Sequence, residues 1–380
     1  MKKRKMFELG IYLYFWGFLS VLLLPLLIYP FVKGKLDHNN YENRELADWN
    51  TVKASTWKNL SANLELYLTD NIPYKNEIVK LNKKIDLKIF HDLYDSSVLV
   101  GKENWLFYKK DNCIQDYRGD NLLSDEELLN YKLAAESLQE KYLAMDRKFC
   151  IIITPNKEEI YGDLYLPDKV KVKSEISKAD LIVAYLQENT TIPIIYPKQA
   201  LRDARDSGYT VWRKYDTHWN DVGAFIASQE LLKCLGSNSV AIEQCEVVEN
   251  GTISGDLANM LGLGKEYSDD IAYRIEGYLD EVHVNQVENI PQEHLDYVKT
   301  ESDVLNGKSI MMIGDSFLGA MEQFISLNYE NAVYIHRGNY QQFEEDKIET
   351  EDPDIIVFQI AERFIGGFDE FMWNFGEGNG

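Results

Sequence analysis

Histidine, cysteine and proline are scarce in this chain, which has six, four and nine of them among its 380 residues. No Cys-x-x-Cys or His-Glu-x-x-His pattern occurs, so nothing points to a metal centre, and we expect neither a metal nor a cofactor. Basic residues number 40 against 62 acidic ones, which gives a formal net charge of −22. Such a charge repels polyanions at long range. It argues against nucleic acid as a partner and disfavours a highly acidic glycan unless a local basic patch compensates.

The few cysteines differ in context. Cys150 lies in an apolar run and is typical of a buried apolar residue. Cys234 and Cys245 are close enough in sequence to form a disulfide, although the sequence specifies no connectivity.

One long apolar run lies near the N-terminus. Residues 11–32 are 22 positions without a formal charge, enough for the roughly 20 that cross a bilayer. Four basic residues at positions 2–5 place residues 1–10 in the cytoplasm by the positive-inside rule. A cleaved signal peptide is the alternative, although the run exceeds an ordinary signal core and no small-x-small site follows it. We predict a single-pass anchor at 11–32, a juxtamembrane stalk at 33–95 and an extracytoplasmic domain at 96–380.

Two short motifs supply a carboxylate, an imidazole and a hydroxyl. Asp216 and His218 belong to a loop, and Ser316 follows the apolar run at 309–313, which we predict to be a buried strand. A helix is expected from Leu318, so Ser316 lies at the carboxyl edge of a sheet, where α/β folds place ligands. Each motif alone also fits an ordinary helix-capping loop. Together they predict a triad of Ser316 as nucleophile, His218 as base and Asp216 as the carboxylate that orients it.

The same motifs carry a family resemblance. Asp-x-His-x-Asn at 216–220 is similar to the last block of the SGNH (GDSL) hydrolases, and Gly-Asp-Ser at 314–316 is similar to their first. Because the last block precedes the first here, the chain resembles a circularly permuted SGNH domain, as in the alginate O-acetyltransferase family. The stretches at 42–47, 98–108, 154–157 and 164–167 are also similar to that family.

The resemblance implies further site residues. The Ser316 backbone N–H and Gly338 are candidate oxyanion donors. The usual third-strand Asn of the superfamily is missing, because that strand ends in Ala-Glu-Arg-Phe at 361–364. Trp219, Asn220 and Arg363 are candidates for binding the substrate, with a structural role open for each.

The alternation of elements predicts the fold class α/β. We expect a three-layer α/β/α domain with about five parallel strands, preceded by one transmembrane helix. Residues 237–303 separate the catalytic motifs and are expected to form an insertion that acts as a lid or acceptor groove. We predict strands at 148–154, 192–196, 309–313, 333–336 and 354–360. We predict helices at 125–145, 179–188 and 198–206.

These features favour a membrane-anchored O-acetyltransferase that acts on a polysaccharide. By family resemblance, a multi-spanning membrane acyltransferase would hand over the acetyl group. Two alternatives stay open, namely an acetyl esterase with the same triad and a non-catalytic glycan-binding or assembly subunit. The sequence names neither the glycan nor the hydroxyl that is modified.

Overall fold

A computed structural model describes residues 2–38, 46–90, 96–292, 295–336, 348–370 and 372. The chain divides into two compact units, residues 1–94 with 259–263 and residues 95–258 with 264–380.

The first unit is helical in its described part. Residues 11–35 have a mean hydropathy of 2.2 and could span a membrane by length and composition. Two further helices cover residues 60–70 and 75–90. The helices of this unit are α1 (Lys2–Val32), α2 (Trp49–Lys53), α3 (Leu60–Asp70) and α4 (Lys75–Phe90).

The second unit contains the sheet and most of the helices. Its strands are β1 (Val98–Val100), β2 (Leu106–Tyr108), β3 (Lys148–Thr154), β4 (Ile194–Ile195), β5 (Glu246–Ile253), β6 (Asp270–Glu276), β7 (Val284–Gln292), β8 (Leu295–Ser302), β9 (Ser309–Gly314), β10 (Asn331–His336) and β11 (Ile355–Ala361). The remaining helices are α5 (Cys113–Arg118), α6 (Asp125–Ala144), α7 (Lys157–Tyr165), α8 (Lys178–Asn189), α9 (Lys198–Asp206), α10 (Asp221–Cys234), α11 (Asp256–Met260) and α12 (Leu318–Ile325).

A seven-stranded sheet with the order β4-β3-β11-β9-β10-β8-β7 organises the second unit. The first five strands in that order are parallel to one another, as predicted. Strands β8 and β7 pair antiparallel beside β10, so part of the predicted insertion at 237–303 extends the central sheet. Strands β5 and β6 form a separate antiparallel pair.

Alternate residues of the central strands pack on opposite faces of the sheet. In β3, Cys150 and Ile152 join one apolar cluster, while Ile151 and Ile153 join the other. Helices α10 and α12 cover the first face, and α6 and α8 cover the second. Because both faces are buried, the unit has the predicted three layers, and the carboxyl ends of the parallel strands lie along one edge.

Candidate active site

Ser316 lies in the turn between β9 and α12, and its side chain is exposed. Asp315 beside it is buried and fixes the turn to β11, because its carboxylate accepts hydrogen bonds from the Ala361 N–H at 2.6 Å and from the Gln359 amide at 3.0 Å. A Cβ on Gly314 would lie 2.3 Å from the Gln359 side-chain oxygen, so only glycine allows this approach. The turn is therefore held from the neighbouring strand while the Ser316 hydroxyl faces outward.

His218 connects the serine to a carboxylate. Its Nε2 lies 2.7 Å from the Ser316 Oγ, and its Nδ1 lies 2.7 Å from Asp216 Oδ1. Asp216 Oδ1 also accepts the His218 backbone N–H at 2.9 Å, which fixes the turn between the two residues. The Phe317 ring packs against the imidazole with centroids 4.8 Å apart. The geometry suits transfer of the serine proton to Nε2.

The charge of Asp216 is stabilised in the folded chain. Burial opposes its ionisation, but hydrogen bonds from His218 and from the Asp256 N–H outweigh burial and hold the pKa of the Asp216 carboxyl well below its usual range. It is therefore an anion at neutral pH. Such an anion favours an imidazolium at His218 after the imidazole has accepted a proton.

Lys157 fixes the Asp216 loop through hydrogen bonds to its backbone. Its ammonium donates hydrogen bonds to the carbonyl oxygens of Asp216 at 3.0 Å, Lys214 at 2.8 Å and Leu106 at 2.7 Å. Lys157 is 3% exposed, and burial lowers the pKa of its ammonium. The sequence pattern marked Lys157 only as part of a stretch similar to the family. No signal in the sequence links it to a loop some sixty positions away.

Asp256 is a second carboxylate at the site that sequence reasoning did not identify. Its Oδ1 accepts the Thr217 N–H at 2.7 Å, and its Oδ2 lies 3.7 Å from the His218 Nδ1. Asp216, His218 and Asp256 place ligand-type atoms within 4.8 Å of one another, a spacing that could also hold a cation. Because Nδ1 and Asp216 are already at hydrogen-bond distance, the arrangement fits an oriented base better than a metal ligand.

The structure gives Trp219 and Asn220 roles other than the predicted substrate contact. Trp219 is 0% exposed and packs edge-on against Phe317 at 5.1 Å, so it presents no face to a sugar. Asn220 caps α10, because its Oδ1 accepts the Gly223 N–H at 3.1 Å while its amide donates to the Thr210 carbonyl at 2.7 Å. These contacts use the polar atoms that a substrate would need.

Arg363 remains beside the reactive groups. Its guanidinium lies 5.3 Å from the Phe317 ring centroid and 5.1 Å from that of Phe364. Within the described residues no carboxylate forms an ion pair with it at 4.0 Å or less. A cation held on an aromatic ring next to Ser316 can contact an anionic or polar group of a ligand. The other predicted oxyanion donor, Gly338, lies outside the described residues.

Comparisons with known proteins place these features in a family. A family model for the SGNH hydrolase-like domain of the acetyltransferase AlgX matches residues 98–331. A probable alginate O-acetylase AlgJ from Pseudomonas syringae pv. tomato is 22% identical over 358 residues, which cover 88% of this chain and 85% of that protein. Its Pseudomonas putida counterpart, also described as a probable alginate O-acetylase AlgJ, is 21% identical over 326 residues, covering 79% and 78%. A solved DHHW family protein from Eubacterium siraeum shares the fold, with a TM-score of 0.51 at 14% identity over 64% of this chain and 88% of that one.

Proposed function

The chain belongs to the SGNH hydrolase-like acetyltransferase family of AlgX, whose model matches residues 98–331 of its 380, and we propose that it acetylates polysaccharide hydroxyls through an acetyl group carried on Ser316. The observation that carries the proposal is a pair of contacts, each of 2.7 Å, that connect Ser316 to His218 and His218 to Asp216. The relatives named alginate O-acetylase support acetyl transfer as the reaction.

The first half of the reaction acetylates the enzyme. The Ser316 Oγ attacks the acetyl carbonyl of the donor, and its proton passes to the His218 Nε2, 2.7 Å away. The imidazolium then donates that proton to the departing group as its bond to the acetyl carbon breaks. Asp216 keeps Nδ1 protonated and directed away from the serine throughout.

The second half transfers the acetyl group to a sugar. His218 removes the proton of the acceptor hydroxyl, whose oxygen attacks the acetyl carbon, and the Ser316 Oγ leaves with the returned proton. The Ser316 backbone N–H is one donor to the transient oxyanion, and Gly338 is the second candidate. Arg363 would contact a polar group of the acceptor or donor from its position on Phe317.

The location and the donor belong to the same proposal. The apolar helix at residues 11–35 would anchor the chain, and the four basic residues before it support a cytoplasmic N-terminus with residues 96–380 outside the membrane. An extracytoplasmic site has no direct access to cytosolic acetyl donors. The resemblance to the alginate O-acetyltransferase family implies that a multi-spanning membrane acyltransferase would deliver the acetyl group, and a polysaccharide would accept it.

Acetyl transfer through Ser316 is tested on the purified full-length chain in detergent. We expect the wild type to release p-nitrophenol from p-nitrophenyl acetate and to gain one acetyl mass on the peptide that contains Ser316. Ser316→Ala should lose both signals, with a residual rate roughly 10³-fold or more below wild type. Ser268→Ala, a change at an exposed serine whose hydroxyl bonds only the Lys265 carbonyl, is the matched control and should behave as wild type.

A polymer assay separates the transferase from the esterase. The proposed enzyme gains ester on unmodified polysaccharide in the presence of an acetyl donor. Release of acetate from acetylated polymer without any gain on unmodified polymer would establish the esterase instead. If the Ser316→Ala variant formed as much acetyl-serine as the wild type, the assignment of Ser316 as the nucleophile would be wrong.

A further inference from the structure

Asp256 holds the turn between the base and its carboxylate partner from both sides. Its Oδ1 accepts the Thr217 N–H at 2.7 Å, and its Oδ2 accepts the Thr217 hydroxyl. Its own N–H donates to Asp216 Oδ2 at 3.0 Å, the carboxylate oxygen that His218 does not use. Three hydrogen bonds therefore connect Asp256 to the two residues that precede His218 in the chain.

The close approach of Asp256 depends on the residue before it. A Cβ on Gly255 would lie 2.1 Å from the Tyr215 carbonyl oxygen and 2.6 Å from the Asp216 nitrogen. No side chain fits between these backbones, so a glycine at 255 lets Asp256 contact the loop. The contact is built by the backbone on both sides, which distinguishes it from an incidental surface pair.

The second carboxylate has an energetic cost. Burial raises the pKa of the Asp256 carboxyl, and the neighbouring Asp216 charge raises it further, although hydrogen bonds from Thr217 act in the opposite direction. Two acidic groups around one imidazole repel each other in the resting enzyme. That repulsion is relieved when the imidazole becomes a cation, because both carboxylates then face a positive charge.

We propose that Asp256 is a second carboxylate of the acid–base machinery, which positions the Asp216–His218 pair and helps to stabilise the His218 imidazolium, a role that deepens the proposed function and depends on it. Its Oδ2 lies 3.7 Å from Nδ1, too far for a hydrogen bond but close enough for direct attraction. Asp216 remains the hydrogen-bonding partner at 2.7 Å. In its absence, Asp256 is the carboxylate nearest to Nδ1 among the described residues.

The test uses a serine-directed reagent that requires no acetyl donor or sugar. Phenylmethylsulfonyl fluoride reacts when the Ser316 Oγ forms a bond to sulfur, fluoride leaves and the serine proton passes to His218. The measurement is the second-order rate of sulfonylation of the full-length chain, with the thermal midpoint Tm recorded for every variant. Failure of acetyl transfer in the polymer assay would count against the proposed function and would leave this measurement intact.

Asp256→Asn keeps the shape of the side chain and removes its charge. We expect the sulfonylation rate to fall about tenfold, equivalent to about 1.4 kcal/mol, with Tm unchanged or higher because the repulsion between two neighbouring carboxylates is gone. Asp269→Asn is the matched control. Asp269 accepts a hydrogen bond at 2.8 Å from the hydroxyl of Tyr215, which precedes Asp216 in the loop, but it does not bond Thr217. Its rate should match that of the wild type.

A double variant tests whether Asp256 can take the place of Asp216 as the carboxylate that faces Nδ1. Asp216→Ala leaves Nδ1 free to turn toward Asp256, so the Asp256→Asn change should cost about a hundredfold in that background instead of about tenfold. A rate for Asp256→Asn within twofold of the wild type would overturn the proposal. So would a large fall in Tm with a proportional loss of rate, because the residue would then act on stability alone.

Discussion

At the scale of single residues, Lys157 is the cation on which the geometry of the acid–base loop depends. Its ammonium satisfies three carbonyl oxygens, one at the start of β2 and two in the loop that contains Asp216, and lies 5.1 Å from the Trp105 ring centroid. No other described side chain donates a hydrogen bond to the Asp216 carbonyl. Loss of the ammonium would leave buried acceptors without donors, which costs more than the loss of an exposed ion pair.

Lys157→Met should therefore weaken both stability and reactivity. We expect the free energy of unfolding to fall by about 3 kcal/mol, as when one partner of a buried charged network is removed. The fraction that stays folded should react with the sulfonyl fluoride more slowly, because Asp216 is no longer held. Denaturant unfolding and sulfonylation rates measure the two effects.

Lys102→Met is the control for that change. Lys102 pairs with Asp168 at 2.7 Å, but both side chains are largely exposed, so its loss should cost less than about 1 kcal/mol. Equal effects of the two substitutions would contradict the positioning role of Lys157.

At the scale of secondary-structure elements, the sequence predicts the central strands well. Strand β3 and helix α9 have the bounds predicted for them, because a continuous apolar run and an amphipathic segment are strong local signals. The run at 192–196 shortens to Ile194–Ile195, since Pro193 and Pro197 lack the N–H groups that a ladder needs. Strands β7 and β8 were not predicted, because their many polar residues give no clear apolar alternation.

The site shows the same division between local and distant information. The motifs at 216–220 and 314–317 contain the carboxylate, the imidazole and the hydroxyl of the triad, so their juxtaposition could be predicted. Asp256 and Lys157 act on the site through tertiary contacts, and neither belongs to a motif whose spacing reveals that function. For Trp219 the sequence left a sugar contact and a packing role both open, because a sequence does not distinguish a buried indole from an exposed one, and the structure places this indole in the core.

The end of helix α10 provides a prediction at this scale. Cys234 in its last turn lies against the Cys150 thiol of β3, and this contact lowers the pKa of the Cys234 thiol to about 7. Burial raises the pKa of Cys245 instead. The structure thus brings Cys234 to Cys150, whereas the sequence had suggested Cys245 as its partner.

Cys234 should consequently be the most reactive thiol of the chain. Because its pKa is lowered and its side chain is exposed, we expect iodoacetamide to label Cys234 before Cys245 in native protein. Peptide mass mapping after short labelling measures the order. Cys234→Ser should abolish the early phase, and preferential labelling of Cys245 would contradict the assignment.

At the scale of the whole molecule, a strongly acidic chain follows a basic N-terminal segment. The overall charge is −22, whereas positions 2–5 carry four basic residues directly before the apolar helix. The basic residues beside a single span orient it with its basic side in the cytoplasm, whereas acidic residues contribute little to the orientation. The acidic remainder would then face the outside, where a neutral or amino-sugar polymer approaches without long-range repulsion.

Reporter fusions test this topology. A reporter that is active only outside the cytoplasm should be active after residue 380 and inactive after residue 5. The same chain should stay in the membrane fraction after an alkaline carbonate wash. Mature protein that begins near residue 35 by N-terminal sequencing would show that the apolar helix is a removed signal peptide.

The strand order of the central sheet has a consequence for folding. Strand β11 lies between β3 and β9, although residues 355–361 follow every other strand in the chain. The loop that contains His218 follows β4, on the β3 side of this joint, and Ser316 follows β9 on the other side. The His218 loop and the serine turn are therefore joined through a strand that follows both of them in the chain. Because the Ala361 N–H of β11 holds the Asp315 carboxylate beside Ser316, the serine turn takes its final geometry only after β11 has inserted between β3 and β9.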